Sequence, residues 1–231
     1  MLGVYNPRVN LPAFGDGHLG LGHPDVERKL TDFSILDVMS SNNMINYKRF
    51  TLFCVCSTHR NNLEPDARIV FGSHASVNPR AFHMVPLVAF RGSWKLHILS
   101  LGTPTGPISQ RLLVGMLDST SWLSKLSVAH AETVNTGLGA QKSGNLYVVD
   151  CNRMDQMPIL RIALDGAQFD LHPRAYIQQD VVEGRMRCFS SIVPDPAVKS
   201  GGMILGMTFM EHFIITFDQQ QRKMGFQQRV C

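Results

Sequence analysis

The chain has 231 residues, 44% hydrophobic and 17% charged, a balance that sustains a buried core and excludes an intrinsically disordered chain. Its net charge of +4 is scattered, with Arg222-Lys223 and Arg185 to Arg187 as the densest pieces, so no nucleic-acid-binding face is expected. No apolar run approaches the ~20 residues of a membrane span, and Met1 to Arg8 lack the basic start and apolar stretch of a secretory signal.

Residues 1 to 30 are rich in glycine and proline. The glycines of Phe14-Gly15-Asp16-Gly17-His18-Leu19-Gly20-Leu21-Gly22 match a dinucleotide-binding spacing only loosely, with no strand before them, so no nucleotide site is expected. From Arg49 onward the texture is short β runs between turns. Phe50–Cys56, Ala67–Phe71, Met84–Ala89 and Trp94–Leu101 have strand composition, and Trp94, Leu96 and Ile98 alternate with Lys95 and His97 as in a half-buried strand. Leu112–Leu117 leads into Asp118, and Trp122–Leu138 has apolar residues near helical spacing. Strands then resume: Leu146–Val149, Ile159–Leu164, Gln168–Leu171, Tyr176–Gln179, Met186–Ile192, Met203–Leu205, Phe213–Asp218 and Lys223–Gln228. Asp165-Gly166 is a strong hairpin turn. Many short strands at close spacing predict an all-β domain with one or two short helices.

Asp118 ends an apolar run and is followed at once by Ser119, Thr120 and Ser121, then by Trp122. Two physical readings are open. A carboxylate ringed by hydroxyls suits acid–base work. Equally, Asp118 or one of the hydroxyls suits the cap of the helix predicted after it. Trp122 is expected in the core or against a neighbouring lobe. Among the five cysteines (54, 56, 151, 188 and 231) there is no Cys-x-x-Cys pair, and of the nine histidines only His18 and His23 lie close together; no metal and no cofactor are expected.

Several blocks, in order, resemble pepsin-like (cathepsin D/pepsin type) aspartic proteases. Pro158 to Tyr176 resembles that family's hairpin and P-x-x-Y step. Ile204-Leu205-Gly206, with Phe217-Asp218 and Gly225-Phe226, is similar to its closing segment. Trp94–Leu101 is similar to its Y-W-x-I-x-L strand, and Phe14–Gly22 to its F-D-G-I-L-G-L-G segment. The resemblance implies an acid-protease lobe of the double-psi barrel type. Residues 1–60 would be a remnant of the N-terminal lobe with an inter-lobe strand, and residues 61–231 the C-terminal lobe. It implies a disulfide between Cys151 and Cys188, worth ~3–4 kcal/mol in the chain-entropy model. Asp118 takes the catalytic position, beside Ser119, Thr120 and Ser121 as the loop at the site.

In the family, two aspartates from two lobes share a proton and activate water against a peptide bond. Here the glycine after Asp-Ser is missing, either replaced by Thr120 or deleted, and the first Asp-Thr-Gly motif and the flap tyrosine are not found. The expectation is therefore an aspartic endopeptidase by family, with no or very weak activity for this chain alone. The alternatives are a non-catalytic peptide- or protein-binding pseudoprotease, or a homodimer in which each copy lends Asp118. The implied partners are a polypeptide substrate or a separate N-terminal lobe, with possible self-association through the uncovered surface. Localisation by family is secreted or lysosome-like.

Overall fold

A computed structural model describes residues 19–23, 34–54, 67–73, 79–88 and 92–229. In chain order the strands are β1 (Arg49–Phe53), β2 (Arg68–Phe71), β3 (His83–Pro86), β4 (Lys95–Thr103), β5 (Gly106–Ser109), β6 (Leu113–Leu117), β7 (Ser124–Leu126), β8 (Gln141–Ser143) and β9 (Leu146–Val149). There follow β10 (Leu160–Leu164), β11 (Ala167–Leu171), β12 (Ile177–Val182), β13 (Arg185–Ser190), β14 (Ile192–Pro194), β15 (Gly202–Leu205), β16 (Phe213–Asp218) and β17 (Lys223–Gln228). The helices are α1 (Ile35–Ser41), α2 (Val128–Gly137), α3 (Pro173–Tyr176) and α4 (Met207–Met210). Phe14–Gly17, His18, Cys56 and Cys231 lie outside the described residues.

The fold is all-β, as the strand pattern predicts. Three sheets form, with strand orders β2-β1-β16-β17-β3, β11-β10-β4-β6-β15-β7-β14 and β12-β13-β9-β8. Each order is open, so no closed barrel forms among the described residues. Nearly every pairing is antiparallel; the exceptions are β6 with β15 and β7 with β14. Those two parallel pairs lie side by side, because β15 also pairs with β7.

The local reasons are visible in the sequence. In β4, Leu96 and Ile98 are fully buried while Lys95 and His97 between them are half-buried, the period-two pattern of a strand with one covered face. Between β10 and β11, Gly166 turns at φ 89°, a left-handed conformation that costs glycine nothing. β1 and β16 bring together Phe50 and Phe217, stacked at 4.5 Å, with Trp94 edge-on to both. A second aromatic cluster joins Phe169, Phe209, Phe213 and Phe226. Polar groups buried in the first sheet are paired: Arg49 meets Asp218 at 3.0 Å, and the Thr51 and Thr216 hydroxyls lie 3.2 Å apart.

The helical prediction over Trp122–Leu138 needs correction. Only Val128–Gly137 is helical, and Ser124–Leu126 is strand β7. Leu123 and Leu126 are spaced as on a helix, but Ser124 and Leu126 are both buried and Lys125 is not, a strand's alternation enforced by β14 and β15 on either side. The N-cap position of α2 is therefore Ser127, and neither Asp118 nor the hydroxyls after it cap that helix. Four short helices stand where one or two were predicted; α3 and α4 are single turns, and α1 is capped by Ser34, whose side chain accepts from the Asp37 N–H.

Cys151 and Cys188 form the disulfide that the resemblance implied, with their Cα atoms 5.2 Å apart. It ties the turn after β9 to the centre of β13 and closes a loop containing β10, β11, α3 and β12. Replacing both cysteines by alanine should lower the unfolding free energy by ~3–4 kcal/mol in urea titrations, through the unfolded chain's regained freedom.

Candidate active site

Asp118 is the first residue beyond β6, and two crossings fix it. Its N–H donates to the Leu205 carbonyl at 3.1 Å, continuing the parallel pairing of β6 with β15. One residue on, Gly206 passes directly against the turn that follows Asp118. A Cβ built on Gly206 would stand 2.5 Å from the Leu123 carbonyl oxygen and 2.7 Å from that of Ser121. The backbone N–H groups of Met207 and Thr208 donate to the Ser121 and Trp122 carbonyls at 2.8 and 3.0 Å, and Gly206 N–H donates to Ser124 Oγ at 3.2 Å. Four bonds and one bare Cα thus hold the turn.

Within that turn the carboxylate is gripped by its own neighbours. Thr120 donates to Asp118 Oδ1 twice, from N–H at 2.9 Å and from Oγ1 at 2.7 Å, and Ser121 Oγ donates to Oδ2 at 3.1 Å. Partial burial pushes the Asp118 carboxyl upward; the Thr120 hydroxyl and N–H, the Ser121 hydroxyl and the Lys125 charge together outweigh it and hold the group below the ordinary aspartate value. Thr120 carries no positive φ, so a residue with a side chain fits there without backbone strain. Its hydroxyl adds a donor that a glycine could not supply.

Asp118, Ser119 and Thr120 line a cleft of about 400 Å³. Leu19, Leu21, Leu52, Met116, Met210 and Phe217 give it apolar walls, and Gly20, Gly22, Gly92 and Ser93 give it a backbone-rich rim. Residues 19–22, the described part of the glycine-rich segment, thus line the same cleft as the carboxylate. They are pinned there by Trp94, whose indole Nε1–H donates to the Leu21 carbonyl at 2.6 Å and whose ring meets His23 edge-on. Ser121 contributes through its hydroxyl rather than as a wall. Trp122 is 48% exposed, so of the two places expected for it, the core or a face against a neighbouring lobe, it does not occupy the core. Lys125, paired with Asp195 at 3.2 Å, was not singled out in the sequence; only its place on β7, beside β15, brings its charge toward Asp118. Among the described residues no three of His, Cys, Asp and Glu converge as metal ligands.

A protein-family model, Eukaryotic aspartyl protease, matches residues 6–229. The chain belongs to that family. Relatives include renin of Canis lupus familiaris, 25% identical over 218 residues that cover 91% of this chain and 52% of renin. Cathepsin E of Rattus norvegicus is 24% identical, over 91% of this chain and 52% of its own length. A probable vacuolar protease A of Arthroderma benhamiae is 30% identical over 132 residues, 55% of this chain and 31% of its own. The chain spans about half the length of the curated relatives that it matches along most of its course. In this aspartyl protease chain, the pepsin-like resemblance of the blocks is a true relationship.

Two predictions follow from the turn. Gly206→Ala must push apart two backbones, and should destabilise by ~1–3 kcal/mol or more, seen as a lower denaturant midpoint. Thr120→Val removes the strongest side-chain donor, so the Asp118 carboxyl should titrate closer to the ordinary aspartate value by NMR. The sign is fixed. With the wild-type group depressed, its ionised form stabilises the fold above the ordinary aspartate value, and that contribution is lost as pH falls through the folded value; Thr120→Val should shrink it.

Proposed function

We propose that residues 61–231 are the C-terminal lobe of an aspartic endopeptidase, that residues 1–60 are a remnant of the N-terminal lobe with the inter-lobe strand, and that Asp118 is the lobe's catalytic carboxylate. The observation that carries this is the carboxylate at the cleft, held by Ser121 and Thr120 and aimed by the crossing at Gly206. The position of β1 between β2 and β16 supports the inter-lobe reading of that strand.

The chemistry asks for more than one carboxylate. An aspartate pair works because two close carboxylates share one proton, leaving one oxygen to take a proton from water while the other polarises the peptide carbonyl. Asp118 alone has the opposite character. Three hydrogen bonds donated to it keep it ionised and make it a weak base near neutral pH. In the 231 residues, Asp118 is the only aspartate followed directly by serine or threonine. On this reading the second carboxylate comes from another chain, a separate N-terminal lobe or a second copy lending its own Asp118, and a single copy of residues 1–231 has no or very weak proteolytic activity. The apolar cleft supports binding of an extended, apolar polypeptide even then, so the non-catalytic reading differs only in whether a second carboxylate ever arrives.

The disulfide supports an oxidising compartment, secretory or vacuole-like, in keeping with the name of the Arthroderma relative. An unfolded protein substrate incubated with purified residues 1–231 from pH 3 to 6 should remain uncut. Pepstatin-sensitive cleavage that disappears in Asp118→Asn would establish activity of this chain alone and overturn that part. If instead a separate Asp-Thr-Gly lobe added in trans gives no cleavage while the two bind, Asp118 is not a working carboxylate.

A further inference from the structure

We infer that one buried water molecule sits behind the Asp118 turn, held by the Thr208 hydroxyl between β7 and α4. Thr208 is 1% exposed, and its Oγ1 meets no hydrogen-bond partner among the described residues. Its backbone is fixed, because its N–H donates to the Trp122 carbonyl. A hydroxyl left dry in such a place loses its hydration with no return, which is why buried hydroxyls almost always have partners.

A partner has room here. Thr208 lines a small space among buried residues that offers about 10 Å³ to the centre of a water molecule, and one water needs about that much. Most of the wall is apolar, from residues such as Leu160, Ile162 and Met203, but Ser124 and Ser191 line it as well and both are 3% exposed. Purely apolar cavities stay empty; a cavity with hydroxyl residues supplies the two or more partners that a water requires. Ser124 is suited to the task, since its Oγ accepts from Gly206 N–H and its own proton remains to be donated. The water then accepts from Ser124 and donates to Thr208, or the reverse. It adds a tie between the same two segments that cross at Gly206, β7 on one side and the start of α4 on the other.

The sign of one substitution separates a wet cavity from a dry one. Thr208→Val keeps the shape and deletes the hydroxyl. If a water is held, valine strips it of a partner among buried side chains, and the Tm of residues 1–231 should fall by about 2–4 °C. If the space is dry, valine relieves an unsatisfied hydroxyl, and an unchanged or raised Tm overturns the inference. A high-resolution crystal structure of the unmodified chain gives an independent reading. A density peak within about 3 Å of Thr208 Oγ1 is expected, and a featureless cavity overturns the inference whatever valine does to stability.

Discussion

The turn that carries Asp118 exists because Gly206 has no side chain. Two backbone segments, Ser121–Leu123 and the start of α4, approach until a single carbon atom would force them apart. That closeness lets Met207 and Thr208 donate to the carbonyls of the turn, and it places Leu205 where its carbonyl takes the Asp118 N–H. The two parallel strand pairs follow from the same crossing, since β15 must lie between β6 and β7 for the contact to occur. The cleft, the carboxylate and its ring of hydroxyls all hang from this point.

On the proposed reading of Asp118, a threonine standing where the family has glycine would be a chemical change more than a geometric one. Thr120 fits without a strained backbone and turns its hydroxyl onto Asp118, so the oxygen that already accepts an N–H accepts a second donor. Hydrogen bonds to the ionised form lower a carboxyl's pKa, and each one makes the group a poorer base. The turn as it stands suits a lone anion. A paired carboxylate works under the reverse condition, in which charge repulsion keeps a proton in the site.

Much of this was legible in the chain, for identifiable reasons. Period-two alternation marked β4 because it has one covered face, and Asp165-Gly166 marked the hairpin of β10 and β11 because Gly166 takes the left-handed conformation. Asp118 stood out by its place between an apolar run and three hydroxyl residues, whereas the Cys151–Cys188 pairing came from the resemblance. What failed was decided by distant partners. Ser124–Leu126 reads as the start of a helix until β14 and β15 claim it. The grip of Trp94 on Leu21, and the influence of Lys125 on Asp118, join residues far apart in sequence through ordinary side chains that carry no local signature.

The parallel pairing of β6 with β15 also sets a timetable. Residues 113–117 emerge well before their partner, residues 202–205, and no local turn connects them. Closing so long a loop is paid for in entropy before any contact repays it, so pairings of this kind form late and slowly. Until then β6 has one of its two neighbours, β4, and presents an open apolar edge on its other side. The frame of the carboxylate is thus completed only once β15 has arrived, and until then the open edge of β6 is a hazard for aggregation.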